Sequence, residues 1–218
     1  MDKEFAPGYD RTEEGWIKFP SDIMVRRAYW SEEAITGHPA KANYFLIESI
    51  VQFVSKPGEV VMDIMTGTGT ILLAAIHNRQ VICIELEEGY YHIIHQTKEN
   101  MVKAGVVNGE DITIIRSDCR DVLPIPCNHI IFSPPYAGIL KEKVGATSEA
   151  RKALFGGSDE VVAGHMAYSK DPRNIGNIAN IFFYNQAMER IYKLCYDSVL
   201  PGGTLTVIIA DTMRDGKR

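Results

Sequence analysis

The chain has 218 residues, with 23 lysines and arginines against 28 aspartates and glutamates, for a net charge of −5. With 45% hydrophobic and 23% charged residues it can close a core, which excludes a disordered chain, and the acidic balance argues against a protein that coats nucleic acid. The longest wholly apolar run, residues 71–76, is far shorter than the roughly 20 residues of a membrane helix, and the first residues carry no apolar signal core, so no membrane partner is expected and the chain reads as cytoplasmic. Cys83, Cys119, Cys127 and Cys195 form no CxxC pair and read as buried free thiols in a reducing compartment.

In chain order, residues 43–55 place Phe45, Leu46, Ile50, Phe53 and Val54 at helical spacing, and Lys56-Pro57-Gly58 stops the run. Residues 59–64 read as a first strand, a glycine–threonine turn leads to a helix over 69–78, and 81–85 is a second strand. Residues 88–104 form an amphipathic helix ended by Gly105. Residues 112–116 and 129–132 are the third and fourth strands. Residues 137–179 show no regular pattern, a long helix covers 179–200, and Pro201-Gly202-Gly203 turns the chain into a fifth strand over 204–210. No repeat or low-complexity tract divides the sequence. It reads as one domain over 1–218, with 1–37 as an N-terminal extension and 137–179 as an insertion loop facing the substrate. Strands alternating with helices predict an α/β fold, a parallel sheet with helices on both faces. Ligands in such sheets bind at the carboxyl ends of the strands, so the residues there are the candidate site.

The first strand ends in Asp63-Ile64-Met65-Thr66-Gly67-Thr68-Gly69-Thr70, where two glycines let the backbone turn tightly and approach a ligand. The pattern is not GxGxxG, so a dinucleotide is not the first choice. The second strand ends in Glu85-Leu86, with Glu85 22 residues after Asp63, a spacing at which an acid accepts hydrogen bonds from ribose hydroxyls; Glu87 and Glu88 lie close enough to compete. The third strand is followed by Asp118-Cys119, where a carboxylate either accepts from an adenine amino group or closes a turn. The fourth ends in Phe132-Ser133-Pro134-Pro135-Tyr136. Its two prolines lock the backbone and remove two donors, leaving the Ser133 hydroxyl and the Pro134 carbonyl as acceptors beside an aromatic ring. His92 and His95 lie three apart on a helix without ligands at metal-site spacing, so no metal site is expected. Asn174-Ile175-Gly176-Asn177 reads equally as a substrate-loop element or a turn at a helix start.

The block MDIMTGTGTILLAA, then Glu85, then FSPPY resembles the S-adenosylmethionine-dependent DNA amino-methyltransferases, which act on cytosine N4 or adenine N6. The segment Gly37-His38-Pro39-Ala40-Lys41, leading into a helix and then PGEVVMD, is similar to that family's cofactor-binding segment. The resemblance runs from about residue 38 to 211. The family's usual Asp-Pro-Phe is Asp63-Ile64-Met65 here, and its glycine block is TGTGT rather than GSGTT.

The resemblance implies a Rossmann-like class I methyltransferase and a site-specific enzyme of the restriction–modification type, with S-adenosylmethionine as cofactor and DNA as substrate. Ala40 and Lys41 would reach the methionine carboxylate. The turn Asp63, Met65, Thr66, Gly67, Thr68, Gly69 and Thr70 would run along the methionine part. Glu85 and Leu86 would meet the ribose, and Asp118 and Cys119 the adenine. Ser133, Pro134, Pro135 and Tyr136 would be catalytic, acting on a base flipped out of the duplex; Ser133 in first position favours cytosine N4, with adenine N6 next.

Residues 137–180 carry six basic and five acidic residues, so Lys141, Lys143, Arg151 and Lys152 are the expected phosphate contacts. Two other readings fit the motifs: an RNA enzyme acting on guanine N2, and a non-catalytic methyltransferase-like subunit. The resembled fold has seven strands. Five are counted here, and a sixth short one is offered only by residues 15–18 or 23–26, so the last strands of the sheet are expected to be lacking. The fifth strand is then an open edge for a second copy or a partner chain to cover.

Overall fold

A computed structural model describes residues 4–36, 41–136 and 171–209. Among these residues five strands form one sheet in the order β3-β2-β1-β4-β5: β1 (Val60–Asp63), β2 (Gln80–Glu85), β3 (Ile112–Arg116), β4 (Cys127–Phe132) and β5 (Val199–Val207). Every pairing is parallel, as the strand–helix alternation predicts.

Among the described residues the helices are α1 (Ile23–Arg26), α2 (Glu32–Thr36), α3 (Tyr44–Val54), α4 (Leu73–Ile76), α5 (Glu88–Lys103), α6 (Cys119–Val122) and α7 (Ile181–Ser198). Asparagines start α3 and α7: the Asn43 side chain accepts from the amides of Phe45 and Leu46, and that of Asn180 from the amide of Phe182.

The strands bury both faces, so successive side chains enter different cores. Val61, Cys83 and Ile131 pack with α3, α4 and α5 through Ile50, Leu73 and Ile94. Their neighbours Met62, Ile84 and Ile130 pack on the opposite face with Met188, Ile191 and Cys195 of α7. All four cysteines are buried and free. The N-terminal segment is not peripheral: Trp30, Ala34 and Ile35 are buried in the first core. Within it, residues 23–26 are helical rather than a strand, and Ile17 makes only an isolated antiparallel bridge to Arg11.

The fifth strand differs from its expected bounds. Pro201-Gly202-Gly203 lies inside β5, not before it. The pairing jumps from Cys127↔Val199 to His129↔Thr204, so the extra residues bulge out opposite Asn128. Gly202 has φ +86°, and a Cβ on Gly203 would sit 2.0 Å from the Asn128 carbonyl oxygen, so the backbone approach there demands glycine. Among the described residues β5 is a sheet edge with no strand on its outer side, and no described helix is long and apolar enough to cross a membrane.

Candidate active site

At the carboxyl ends of the strands lies a cavity with about 1060 Å³ of empty space, its mouth included. The loop after β1 supplies Asp63, Met65, Thr66, Gly67, Thr68 and Thr70 to its walls. Glu85 and Leu86 come from the end of β2, Asp118 and Cys119 from the end of β3, and Ser133, Pro134 and Pro135 from the end of β4; Lys41 joins from the segment before α3. Residues 94 positions apart in the chain, Lys41 and Pro135, thus meet in one place where four parallel strands end.

The glycine loop is wired to Glu85. Gly67 takes φ 56°, which aims its amide at Glu85 Oε2 at 2.7 Å, while the Glu87 amide donates to Oε1 at 2.8 Å. The Thr66 hydroxyl lies 3.1 Å from the Ile84 carbonyl oxygen, and the Met65 amide donates to Asp63 Oδ1 at 2.9 Å. Gly69 is not among the cavity walls. Its φ is +81°, and a Cβ there would press to 3.3 Å on Ile94 of α5 and on Leu72, so this glycine serves the packing of loop on helix rather than a ligand.

Glu85 is 6% exposed. Burial pushes its carboxyl up to about 7, and the nearby Glu87 adds to the rise. Burial likewise pushes Asp63 up to about 7, with Glu85 adding to it.

Asp118 has a different setting. It caps α6, with Oδ1 accepting from the Arg120 amide and Nε, both at 2.9 Å, and Oδ2 accepting from Arg120 Nη2. Burial raises this carboxyl, but the hydrogen bonds and charge of Arg120 outweigh it and hold the group below its ordinary value. The carboxylate expected to meet an adenine amine is therefore already engaged by a guanidinium.

The segment after residue 170 forms a further wall. Arg173, Asn174 and Ile175 line the cavity. Arg120 Nη2 donates to the Arg173 carbonyl at 2.6 Å, and Asn174 Nδ2 to Glu87 Oε1 at 3.2 Å, while the Asn174 side chain caps the 3-10 turn Ile175–Asn177. This polar stretch is a turn whose Asn174 and Ile175 also face the cavity.

On the β4 side, the Pro135 carbonyl accepts from the Tyr184 hydroxyl of α7 at 2.9 Å. Tyr136 is not among the cavity walls. Lys41 has its ammonium held below its ordinary pKa by burial and by Arg26, against the pull of Asp22. Ala40, Lys141, Lys143, Arg151 and Lys152 lie outside the described residues.

The sequence reading missed Arg173, Tyr184 and the hydrogen bonds of Arg26 and Trp30 to Thr70 and Thr68. None is marked by a motif; each reaches the site only through the folded chain.

Residues 8–96 match the model of a DNA methylase family, the N6/N4 methylases. The matched part holds the N-terminal segment, the glycine loop and Glu85, and ends before Ser133-Pro134-Pro135-Tyr136. The donor set fits S-adenosylmethionine: a buried carboxylate for ribose hydroxyls, a half-buried ammonium for a carboxylate, and apolar walls at Met65 and Ile175.

The chain has no match among curated protein sequences. Among solved structures it is similar to YjhP from E. coli, with 16% identity over 83% of this chain and 55% of that one and a TM-score of 0.45. It is also similar to the glycopeptide N-methyltransferase MtfA complexed with S-adenosylmethionine, with 11% identity over 78% and 50% and a TM-score of 0.44. TrmN from Thermus thermophilus shares 24% identity over 54% of this chain and 33% of that one, with a TM-score of 0.40. The chain thus spans between a third and about half of the length of these structures, and likenesses this distant say nothing about its substrate.

Proposed function

We propose that the chain transfers a methyl group from S-adenosylmethionine to an exocyclic amine of a DNA base, cytosine N4 in preference to adenine N6. The observation that carries this reading is that Ser133, Pro134 and Pro135 share one cavity with Gly67 and Glu85, so that an amine acceptor site and a nucleoside site adjoin.

Glu85 holds the ribose hydroxyls, Lys41 the methionine carboxylate, and the loop 65–70 the chain between them. Asp118 and the Cys119 amide bound the adenine end. When bound, S-adenosylmethionine supplies a methyl group already activated on a sulfonium. The amine needs no general base of unusual strength; it needs its lone pair freed from the ring. The Ser133 hydroxyl and the Pro134 carbonyl accept its two N–H bonds and turn that lone pair toward the donor, so positioning provides most of the rate. The prolines contribute rigidity and the absence of competing N–H donors. Tyr136 stacks on the base flipped out of the duplex, and Lys141, Lys143, Arg151 and Lys152 contact the phosphates.

The test is transfer of labelled methyl to DNA and to RNA, followed by nucleoside analysis. The expected product is N4-methylcytosine in DNA, lost in Ser133→Ala while S-adenosylmethionine still binds. Label in RNA alone, or binding without transfer to either, refutes the DNA reading.

A further inference from the structure

Arg26 is 1% exposed and heads the large, fully buried side chains. It belongs to α1, in a segment with no recognisable motif, and is not itself a wall of the cavity. Its Nε donates to Asp22 Oδ2 at 2.7 Å, Nη1 to Thr70 Oγ1 at 3.0 Å and Nη2 to the Ala42 carbonyl at 2.7 Å. The guanidinium carbon lies 5.7 Å from the centroid of the Trp30 ring, and Trp30 Nε1 donates to the Thr68 carbonyl at 3.0 Å. Asp22 Oδ2 also accepts from the Tyr44 amide at 2.8 Å.

The targets of this brace are what give it meaning. Ala42, Thr68 and Thr70 all line the cavity, the first beside Lys41 and the other two in the glycine loop. One planar fork therefore ties the segment that presents Lys41 to the loop that faces it. A buried ion pair is not by itself a source of stability, and an apolar side chain seals a core at less cost. A guanidinium does what an apolar group does not: it fixes three acceptors at set distances and angles and never loses its proton.

We propose that Arg26 is a positioning residue for the amino-acid end of the cofactor, setting the separation of the Lys41 segment from Thr70 and placing a permanent positive charge behind Lys41. The assignment rests on the reading of the cavity as an S-adenosylmethionine site. It predicts a selective defect: without Arg26, the carboxylate end of a ligand is lost while the nucleoside end, held by Glu85, stays.

The experiment is calorimetric titration of the full chain and of Arg26→Gln, Arg26→Lys and Thr70→Val with two probes. One is S-adenosylhomocysteine, and the other is 5′-methylthioadenosine, which lacks the amino-acid end. Arg26→Gln is expected to bind S-adenosylhomocysteine about tenfold or more weakly and methylthioadenosine within about twofold of the unmodified chain. Arg26→Lys, which keeps the charge and loses the fork, recovers part of the loss. Thr70→Val shows the same selectivity at about threefold, and with Arg26→Lys it carries the comparison if Arg26→Gln does not fold. Equal weakening of both probes, or of neither, overturns the positioning role and leaves the cavity's assignment standing. Failure of the unmodified chain to bind either probe overturns the cavity's assignment, and the role of Arg26 falls with it.

Discussion

The loops after β1 and after β4 wall the same cavity, yet they keep their shapes by different means. The loop after β1 is flexible in composition, with two glycines and three threonines over residues 66–70, and is held from outside. Glu85 accepts from Gly67, Thr66 reaches the Ile84 carbonyl, Trp30 donates to Thr68 and Arg26 to Thr70. The loop after β4 carries its stiffness in the rings of Pro134 and Pro135, and Tyr184 adds a tie at the Pro135 carbonyl. A loop braced by tertiary contacts fails when a distant side chain is removed; a loop stiffened by its own covalent structure does not.

The sharpest way to break this comparison is at Glu85. Glu85→Ala removes the acceptor for two backbone amides and for the ribose together. Cofactor affinity is expected to fall about 100-fold or more, since hydrogen bonds to a charged group contribute about 1.5–3 kcal/mol each. Calorimetry reads the loss directly, and affinity kept within about threefold defeats the proposed role.

A smaller effect comes from pH. Glu85 and Asp63 are both pushed up to about 7 by burial. The folded chain therefore holds more protons than the unfolded one between about pH 4 and pH 7. Stability from this source is fully present on the acid side and is lost as pH rises through about 7. Cofactor binding runs the other way, because ionised Glu85 is the stronger acceptor, and affinity should rise about tenfold as pH passes through about 7. Titration at several pH values checks this step, which Glu85→Gln removes.

The smallest effect is expected at the β4 loop. Tyr184→Phe deletes one neutral hydrogen bond, worth about 1 kcal/mol, so kcat should fall by roughly fivefold with cofactor affinity unchanged. A loss as large as that of Glu85→Ala would mean that the prolines do not hold the loop by themselves.

The alternation of strands and helices was legible because hydrophobic period is a local property. The five strands and their parallel order follow from it, and so do the motifs at their ends. The β5 boundary was not legible. Pro201-Gly202-Gly203 has the composition of a turn, and only the crowding of Gly203 against the Asn128 carbonyl turns it into a bulge within a strand. Gly69 is similar: a glycine beside a ligand loop reads as ligand-facing until Ile94 is seen packed against it.

By itself the sequence determined which residue types stand at each strand end, because chain spacing and periodicity are written in it. Only the tertiary structure decided what those residues are bound to. Asp118 reads either as an acceptor for an adenine amine or as a turn residue; its local partner is Arg120, and folding then brings the Arg173 carbonyl against that arginine. Arg26 and Trp30 read as an unremarkable stretch before the first motif, and folding places them 44 and 38 residues away in sequence on Thr70 and Thr68. The physical reason is one of range. Side-chain period and turn chemistry act over a few residues, whereas hydrogen bonds and ion pairs act between whatever groups the packed sheet brings within 3 Å.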